Sequence, residues 1–187
     1  MSGRPILLLF TGTGGSGRKS VACKVGEAMG LHPVVSYTTR SPRPREANNG
    51  FYRYINESDF EMSFQAGEFM ETVTINGYRY GIKRSELDKA LAGTRGAYLV
   101  LNREGTELFK RMYGEQAFRV FIYVSKQTVL ERLTAKGMPY EVVERYMAQY
   151  SDEVSYRKSC EAVVENMELS LAVSKVLEAV RSSQLVI

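Results

Sequence analysis

The chain has 187 residues, of which 44% are hydrophobic and 25% charged, and its formal net charge is +4. These values predict one folded domain with a sizeable core and exclude a disordered protein. The charge is too small and too scattered to predict nucleic-acid binding. The longest early apolar run, residues 6–10, is far too short to span a bilayer, so we expect a cytoplasmic protein with no membrane partner.

The chain contains two cysteines, Cys23 and Cys160, and one histidine, His32. The cysteines lie far apart, and neither has a second cysteine or a histidine at a metal-binding spacing. This argues against a disulfide framework and against a zinc site. A single histidine also argues against a Ser/His/Asp triad. We therefore expect two reduced structural thiols and no tightly bound metal.

Hydrophobic patterns place strands and helices alternately along the chain. A buried-strand run at residues 6–10 leads into a glycine-rich turn and then a helical pattern that stops at Gly30. Residues 36–82 are rich in Tyr, Arg, Asn and Gly, which predicts a small inserted β-rich subdomain. The later predicted elements are β-like pieces at 50–55 and 71–80 flanking a helix at 57–65, a helix at 85–91, strands at 97–101 and 119–124, helices at 126–135 and 140–154, a short strand at 162–164 and a helix at 168–181. This alternation predicts an α/β fold with a mostly parallel sheet.

A glycine-rich turn, which we call the phosphate loop (residues 11–20), follows the first predicted strand. It contains Gly12, Gly14, Gly15 and Gly17. A strand that feeds such a turn and then opens a helix typically cradles phosphates, because backbone N–H groups and the positive end of the helix dipole meet there. A turn that merely starts a helix is the alternative interpretation.

The loop departs from the usual phosphate-binding pattern, G-x-x-x-x-G-K-[S/T]. Gly12 and Gly17 have the right spacing, but Arg18 stands at the lysine position and Lys19 at the position of the magnesium-binding hydroxyl. Moving the register by one residue makes Lys19 the phosphate lysine and Ser20 the hydroxyl, but the loop is then one residue too long. Arginine is not an equivalent point charge, and a cation at Lys19 disfavours a nearby metal. The sequence leaves open which of the two cations neutralises the ATP phosphates.

Arginine and tyrosine residues cluster in the inserted segment. Arg40 and Arg43 can fork onto one phosphate, and Tyr52 and Tyr80 can donate phenolic O–H groups to the same anion. Glu71 is an acceptor that can pair with the N–H edge of a purine. Taken alone, each of these residues is typical of a solvated charge or a packed aromatic. Together, the two arginines and two tyrosines predict an anion-binding group, which we call the phosphate clamp.

At this point the chain resembles the guanylate kinase family and the guanylate-kinase-like domains derived from it, over about residues 5–181. The most specific match is T-T-R at 38–40, followed by Arg43, Glu46 and Y-R-Y-I at 52–55. Asn49 stands where the family has glycine.

The resemblance implies a fold and a division of the chain. The fold is that of a P-loop nucleoside monophosphate kinase, α/β, with a parallel-sheet core, an inserted β-rich GMP-binding subdomain and a helical lid. The expected boundaries are 1–35, 84–130 and 158–187 for the core, 36–83 for the GMP-binding subdomain and 131–157 for the lid.

The resemblance also implies the roles of individual residues. The expected GMP-binding residues are Ser36, Arg40, Arg43, Tyr52, Glu71, Tyr80 and Asn102. The expected ATP phosphate-binding residues are Gly12, Gly14, Gly15, Gly17, Arg18, Lys19 and Ser20, and Asn166 is expected near the adenine. The expected catalytic residues are Arg18, Lys19, Arg132 and Arg145.

Several matching positions carry a different residue from the family. Ile82 stands where a threonine or serine touches guanine, and Asn102 ends a strand that would otherwise close with an acidic pair. In the lid, Lys136 and Tyr146 replace arginines, and Arg145 lies one position, or about 100° of helix, from Tyr146. These departures lie mainly on the ATP and transfer side, which predicts retained GMP binding with weakened phosphotransfer.

Three functions remain open at the level of sequence. The first is a protein that binds GMP and in which the reaction ATP + GMP to ADP + GDP is weakened or lost, with Mg²⁺ entering with ATP. The second is a pseudokinase that binds a phosphorylated protein partner, because guanylate-kinase-like scaffold domains are similar in having Gly-Arg where Gly17-Arg18 stands here. The third is a kinase for another small phosphorylated metabolite, which Ile82 leaves open.

Overall fold

The computed structural model describes residues 5–42, 50–92 and 95–183. The strands in these ranges are β1 (Ile6–Gly12), β2 (His32–Pro33), β3 (Ser36–Thr38), β4 (Tyr52–Tyr54), β5 (Phe69–Ile75), β6 (Tyr78–Lys83), β7 (Gly96–Val100), β8 (Ala117–Tyr123) and β9 (Ala162–Glu165). The helices are α1 (Arg18–Met29), α2 (Glu57–Gln65), α3 (Arg84–Leu91), α4 (Arg103–Tyr113), α5 (Lys126–Ala135), α6 (Tyr140–Ser155) and α7 (Leu169–Ser182).

The core is a five-stranded parallel sheet in the order β2-β7-β1-β8-β9. Strand β1 is central and every one of its residues is buried, which explains the apolar run from Ile6 to Phe10. Leu8 and Phe10 face one cluster with α1 and α7, whereas Leu7 and Leu9 face a second cluster with α3 and α4. The predicted α/β fold with a parallel sheet is confirmed.

A second sheet, in the order β4-β3-β6-β5, is formed by the inserted segment. Strands β3 and β4 are parallel, and the other two pairings are antiparallel. The β-like piece predicted at 71–80 is in fact a hairpin, because β5 and β6 turn at Asn76 and Gly77. Both turn residues have positive φ (53° and 80°), the conformation that Asn-Gly favours in two-residue hairpin loops.

Most helices match their predicted ranges, and α2 and α5 have the predicted bounds. Gly30 ends α1 in the left-handed conformation, φ 66°, as predicted. Helix α4 was missed, although its sequence carries a start signal. Asn102 caps it by accepting the Gly105 N–H at 3.0 Å, a role that asparagine favours. Within the described ranges, no helix is both long and apolar enough to cross a membrane.

A third, smaller apolar cluster holds the predicted lid together. Val124, Val129, Leu133 and Val143 are buried, and Tyr146 packs against them with other residues of α6. Helices α5 and α6 thus pack on each other and on the carboxyl end of β8, beside the phosphate loop.

We expect Phe109→Ala to lower the free energy of unfolding by about 3–5 kcal/mol, because the ring is fully buried between α4 and the sheet. Met112 lies one turn further along α4 with 45% of its surface exposed, so Met112→Ala is the matched control and should cost under about 1 kcal/mol. Urea denaturation followed by circular dichroism measures both values. Equally small losses in the two variants would contradict the packing described for α4.

Candidate functional site

The phosphate loop lies at the carboxyl end of the central strand β1. Gly12 has φ 136°, and a Cβ on it would lie 1.8 Å from the carbonyl oxygen of Ile122 on β8, so only glycine fits. Gly15 and Gly17 also have positive φ (76° and 84°). Gly17 precedes α1 without a side-chain cap on the first turn of the helix. Open N–H groups at such a helix start suit an anion.

A short hydrogen-bond network fixes the interior of the loop. The Ser16 hydroxyl donates to the Thr13 carbonyl at 2.7 Å, and the Thr13 N–H donates to the carbonyl of Ile122. Thr13 Oγ1 is the one buried side-chain polar atom in the described residues without a hydrogen-bond partner. The loop is thus rigid at its base, with one hydroxyl still able to accept or donate.

Arg18 and Lys19 open α1 and extend toward different neighbours. Arg18 donates from Nη1 to the carbonyl of Leu101 at 3.3 Å, at the end of β7. Lys19 instead places Nζ 4.1 Å from the ring centre of Tyr52 on β4. Ser20 is exposed on the helix surface. The two cations between which the sequence could not choose therefore have different surroundings.

Three of the four residues of the phosphate clamp lie together on the second sheet. Arg40 is 9% exposed; its Nε donates to Tyr80 Oη at 3.1 Å, and its guanidinium lies 5.6 Å from the ring centre of Tyr52. The rings of Tyr52 and Tyr80 are 6.0 Å apart. Ser36 pairs with Tyr52 across β3 and β4. Arg43, the fourth residue of the clamp, lies outside the described residues.

Glu71 lies at the edge of the core, beside the start of α4. A Cβ built on Gly105 would lie 3.2 Å from Glu71 Oε1 and 3.2 Å from Asn102 Oδ1, so the two oxygens flank the same glycine. Burial, and to a lesser extent the negative charge of Glu104, raise the pKa of Glu71 to about 7. Ile82 is in register with Glu71 and is 2% exposed within the core. Glu71 and Asn102 thus lie side by side, and their role in binding a base stays a prediction.

Arg132 and Asn166 meet at the phosphate loop, although they come from the lid and from the turn after β9. Both donate to the carbonyl oxygen of Ser16, Asn166 Nδ2 at 2.7 Å and Arg132 Nη1 at 3.4 Å. Arg132 Nη2 also donates to the carbonyl of Asn166 at 2.8 Å. Two residues predicted for different parts of the ATP site therefore form one cluster.

Two further lid residues contact the phosphate loop and were not predicted as site residues. The Gly14 N–H donates to Glu153 Oε2 at 2.9 Å. A Cβ on Gly14 would lie 2.1 Å from a ring atom of Tyr146, so the aromatic ring covers the loop. Burial raises the pKa of the Glu153 carboxyl, while the Gly14 N–H and the Arg18 charge oppose that rise. Tyr146 and Glu153 are seven residues apart, which places both on one face of α6. This spacing is the sequence signal from which their common position could have been predicted.

Arg145 lies elsewhere in this conformation. It is exposed, and its Nη1 donates to Asn76 Oδ1 at 2.6 Å at the tip of the β5–β6 hairpin. Asn76 is also the one non-glycine residue with positive φ among those described. Arg145 therefore joins the lid to the second sheet, away from the phosphate loop.

Comparison with known proteins places this site in a family. The family model described as guanylate kinase matches residues 2–183. The guanylate kinase of Shewanella violacea is 28% identical over 189 residues, covering 99% of this chain and 91% of its own. That of Rhodopseudomonas palustris is 29% identical over 185 residues, covering 97% and 84%.

The fold is shared with a solved structure. The crystal structure of guanylate kinase from Anaplasma phagocytophilum superposes with a TM-score of 0.74 and covers 99% of this chain and 88% of its own, at 22% sequence identity. That likeness supports the architecture, and the family model supports the membership. The match extends over nearly the whole chain, through both sheets and the lid, and so this chain belongs to the guanylate kinase family.

Proposed function

We propose that this protein binds GMP and transfers the γ-phosphoryl group of ATP to it, giving ADP and GDP. The observation that carries the proposal is the position of the phosphate clamp beside the phosphate loop, where Lys19 at the start of α1 touches Tyr52. A site for an acceptor phosphate monoester and a site for donor phosphates therefore adjoin at the carboxyl end of the parallel sheet. Ligands of open α/β sheets bind at this edge.

On the acceptor side, Arg40 holds the GMP phosphate with the hydroxyls of Tyr52 and Tyr80. Arginine suits this role because its planar fork matches phosphate oxygens. The ionised form of Glu71 accepts from the N–H edge of guanine. Together these contacts orient one phosphate oxygen of GMP toward the phosphate loop.

On the donor side, the loop N–H groups and Arg18 neutralise the ATP phosphates, with Arg132 above the loop and Asn166 toward the adenine. The GMP phosphate oxygen forms a new bond to the γ-phosphorus while the bond to the β-phosphate oxygen breaks, and ADP leaves with that electron pair. Catalysis of this kind depends on positioning and charge neutralisation. Closure of the lid excludes water and so prevents wasteful hydrolysis of ATP.

The loop residues do not fit a magnesium ion held by the protein itself. Lys19 stands where a hydroxyl ligand is expected, and Asn102 Oδ1 accepts the Gly105 N–H. Within the described ranges, no group of three or more His, Cys, Asp or Glu side chains is placed to hold a metal. We therefore assign Mg²⁺ to the nucleotide, held by ATP phosphates and water, which is a usual mode for this ion.

The donor side also limits the rate in this proposal. Arg18 is engaged with the carbonyl of Leu101, and Glu153 occupies the Gly14 N–H, so ATP must displace a carboxylate before it can bind. Phosphotransfer is therefore slower than an unobstructed loop would allow. The competing function is a phosphopeptide-binding module, which would release no ADP in response to GMP.

We expect Arg40→Ala to weaken GMP binding by about 10- to 150-fold, because a charged hydrogen bond to the phosphate is worth about 1.5–3 kcal/mol. Arg53→Ala is the matched control: Arg53 is the exposed arginine in the middle of β4, and its guanidinium lies over the ring of Tyr37 instead. Isothermal titration calorimetry with GMP measures both. Unchanged affinity in Arg40→Ala would show that the clamp is misassigned.

The pKa of about 7 for Glu71 predicts a pH dependence of GMP binding. Below that pKa the carboxyl is protonated and must lose its proton to accept from guanine, so affinity should rise from pH 6 to pH 8 and then level off. The GMP phosphate itself titrates near pH 6, so Glu71→Gln supplies the baseline. The difference between the two titration curves isolates Glu71, and identical pH profiles would rule out its role at the base.

We expect Glu153→Gln to tighten ATP binding by roughly three- to tenfold, because it weakens the acceptor that competes for the Gly14 N–H. Asp152→Asn removes the same charge one residue earlier, where the side chain is 84% exposed, and should leave ATP affinity unchanged. Equilibrium dialysis at fixed Mg²⁺ concentration gives both dissociation constants. Weaker ATP binding in Glu153→Gln would contradict the competition.

A further inference from the structure

Lys19 contacts the acceptor side of the site, although it belongs to the phosphate loop. Its ammonium lies 4.1 Å from the ring centre of Tyr52 and 5.9 Å from that of Phe51. A distance under about 6 Å over a ring is a favourable cation–π contact. Lys19 thus extends from the first turn of α1 toward β4, away from the loop glycines at which donor phosphates bind.

The position of Tyr52 is itself fixed by packing. The preceding residue, Phe51, packs edge-on against Tyr98 in the core sheet, with ring centres 6.2 Å apart, and joins the larger core cluster. This anchor holds the start of β4 close to α1. The contact between Lys19 and Tyr52 therefore depends on the packing of the neighbouring Phe51 against the core.

The same ring carries a second cation. The guanidinium of Arg40 lies 5.6 Å from the ring centre of Tyr52, and Tyr80 Oη accepts from Arg40 Nε. Two positive groups near one aromatic ring create a positive potential that favours binding of an anion. The arrangement suits a phosphate monoester, which carries close to two negative charges at neutral pH.

We propose that Lys19 is a ligand of the acceptor phosphate monoester and acts there together with Arg40. This inference rests on the proposed function and names one more residue of its acceptor site. Lys19 would also lower the repulsion between the acceptor phosphate and the incoming γ-phosphate, since its helix begins at the donor loop. Lys19, which stands where a magnesium-binding hydroxyl is expected, thus binds the acceptor phosphate instead.

The test measures the affinities of the unmodified protein and of Lys19→Met for three ligands. This substitution keeps the length of the side chain and removes its charge. We expect the affinity for GMP to fall at least about tenfold, as for loss of a charge-assisted hydrogen bond. Affinity for guanosine, which lacks the phosphate, should stay within about twofold of the unmodified protein. Affinity for the non-hydrolysable analogue of ATP that carries an imido bridge should likewise change little. Lys19→Arg should recover part of the GMP affinity.

Lys24→Met is the matched control on the same helix. Lys24 is exposed and pairs with Glu27 at 2.8 Å, so its loss changes the net charge equally without touching the clamp. Urea midpoints of both variants confirm that they remain folded. A loss of ATP-analogue affinity with GMP affinity intact would overturn the inference, and so would equal GMP affinity in Lys19→Met and Lys24→Met. Failure of the unmodified protein to bind GMP would instead overturn the proposed function, and this inference with it.

Discussion

The parallel core sheet determines where the phosphate loop, Asn102 and Asn166 lie, because parallel strands bring all their carboxyl ends to one edge. Gly12 ends β1 at that edge, Asn102 follows β7, and Asn166 follows β9. The carbonyl oxygen of Ser16 then accepts hydrogen bonds from Asn166 and Arg132 and so joins the loop, the last strand and the lid. These two hydrogen bonds connect the last strand and α5 directly to the phosphate loop.

The donor and acceptor halves of the site differ in how their charges are used. In the acceptor half, Arg40 is buried; its Nε donates to Tyr80 Oη and its Nη1 to the carbonyl oxygen of Ser41. In the donor half, a carboxylate of the protein occupies a loop N–H group, because Glu153 accepts from Gly14. Arg18 donates to the carbonyl oxygen of Leu101. A carboxylate at a loop N–H group imitates a phosphate ligand, so in the proposed function Glu153 competes with ATP. The proposed slow step is therefore ATP entry rather than GMP recognition.

Sequence patterns predicted the elements whose signals are local. The apolar run at 6–10 predicted β1 because strands buried on both faces are mostly apolar. The Asn76-Gly77 turn and the Asn102 cap are also local signals, so the hairpin and α4, which were missed, were predictable from the sequence. Glu153 is different, since its contact with Gly14 depends on how the lid packs against the sheet.

The site residues likewise divide into those that the sequence predicts and those whose position depends on tertiary packing. The chemistry of their side chains and the family resemblance grouped Arg40 and Tyr80 in one predicted clamp, and the pairing of β3 with β6 brings them together. Spacing could not decide between Arg18 and Lys19, because the choice depends on the direction of each side chain from α1. That direction is set by tertiary neighbours: Leu101 for Arg18 and Tyr52 for Lys19. The domain boundaries and the individual catalytic roles stay predictions.

The central claim is GMP-dependent phosphotransfer, and a coupled assay of ADP release tests it most directly. The unmodified protein and an identically purified Arg40→Ala variant are each supplied with Mg-ATP, with and without GMP. The account predicts ADP release that requires GMP and that falls to the GMP-free level in the variant. Equal ADP release by both preparations, with or without GMP, would contradict it and leave a protein that binds its ligand without phosphotransfer.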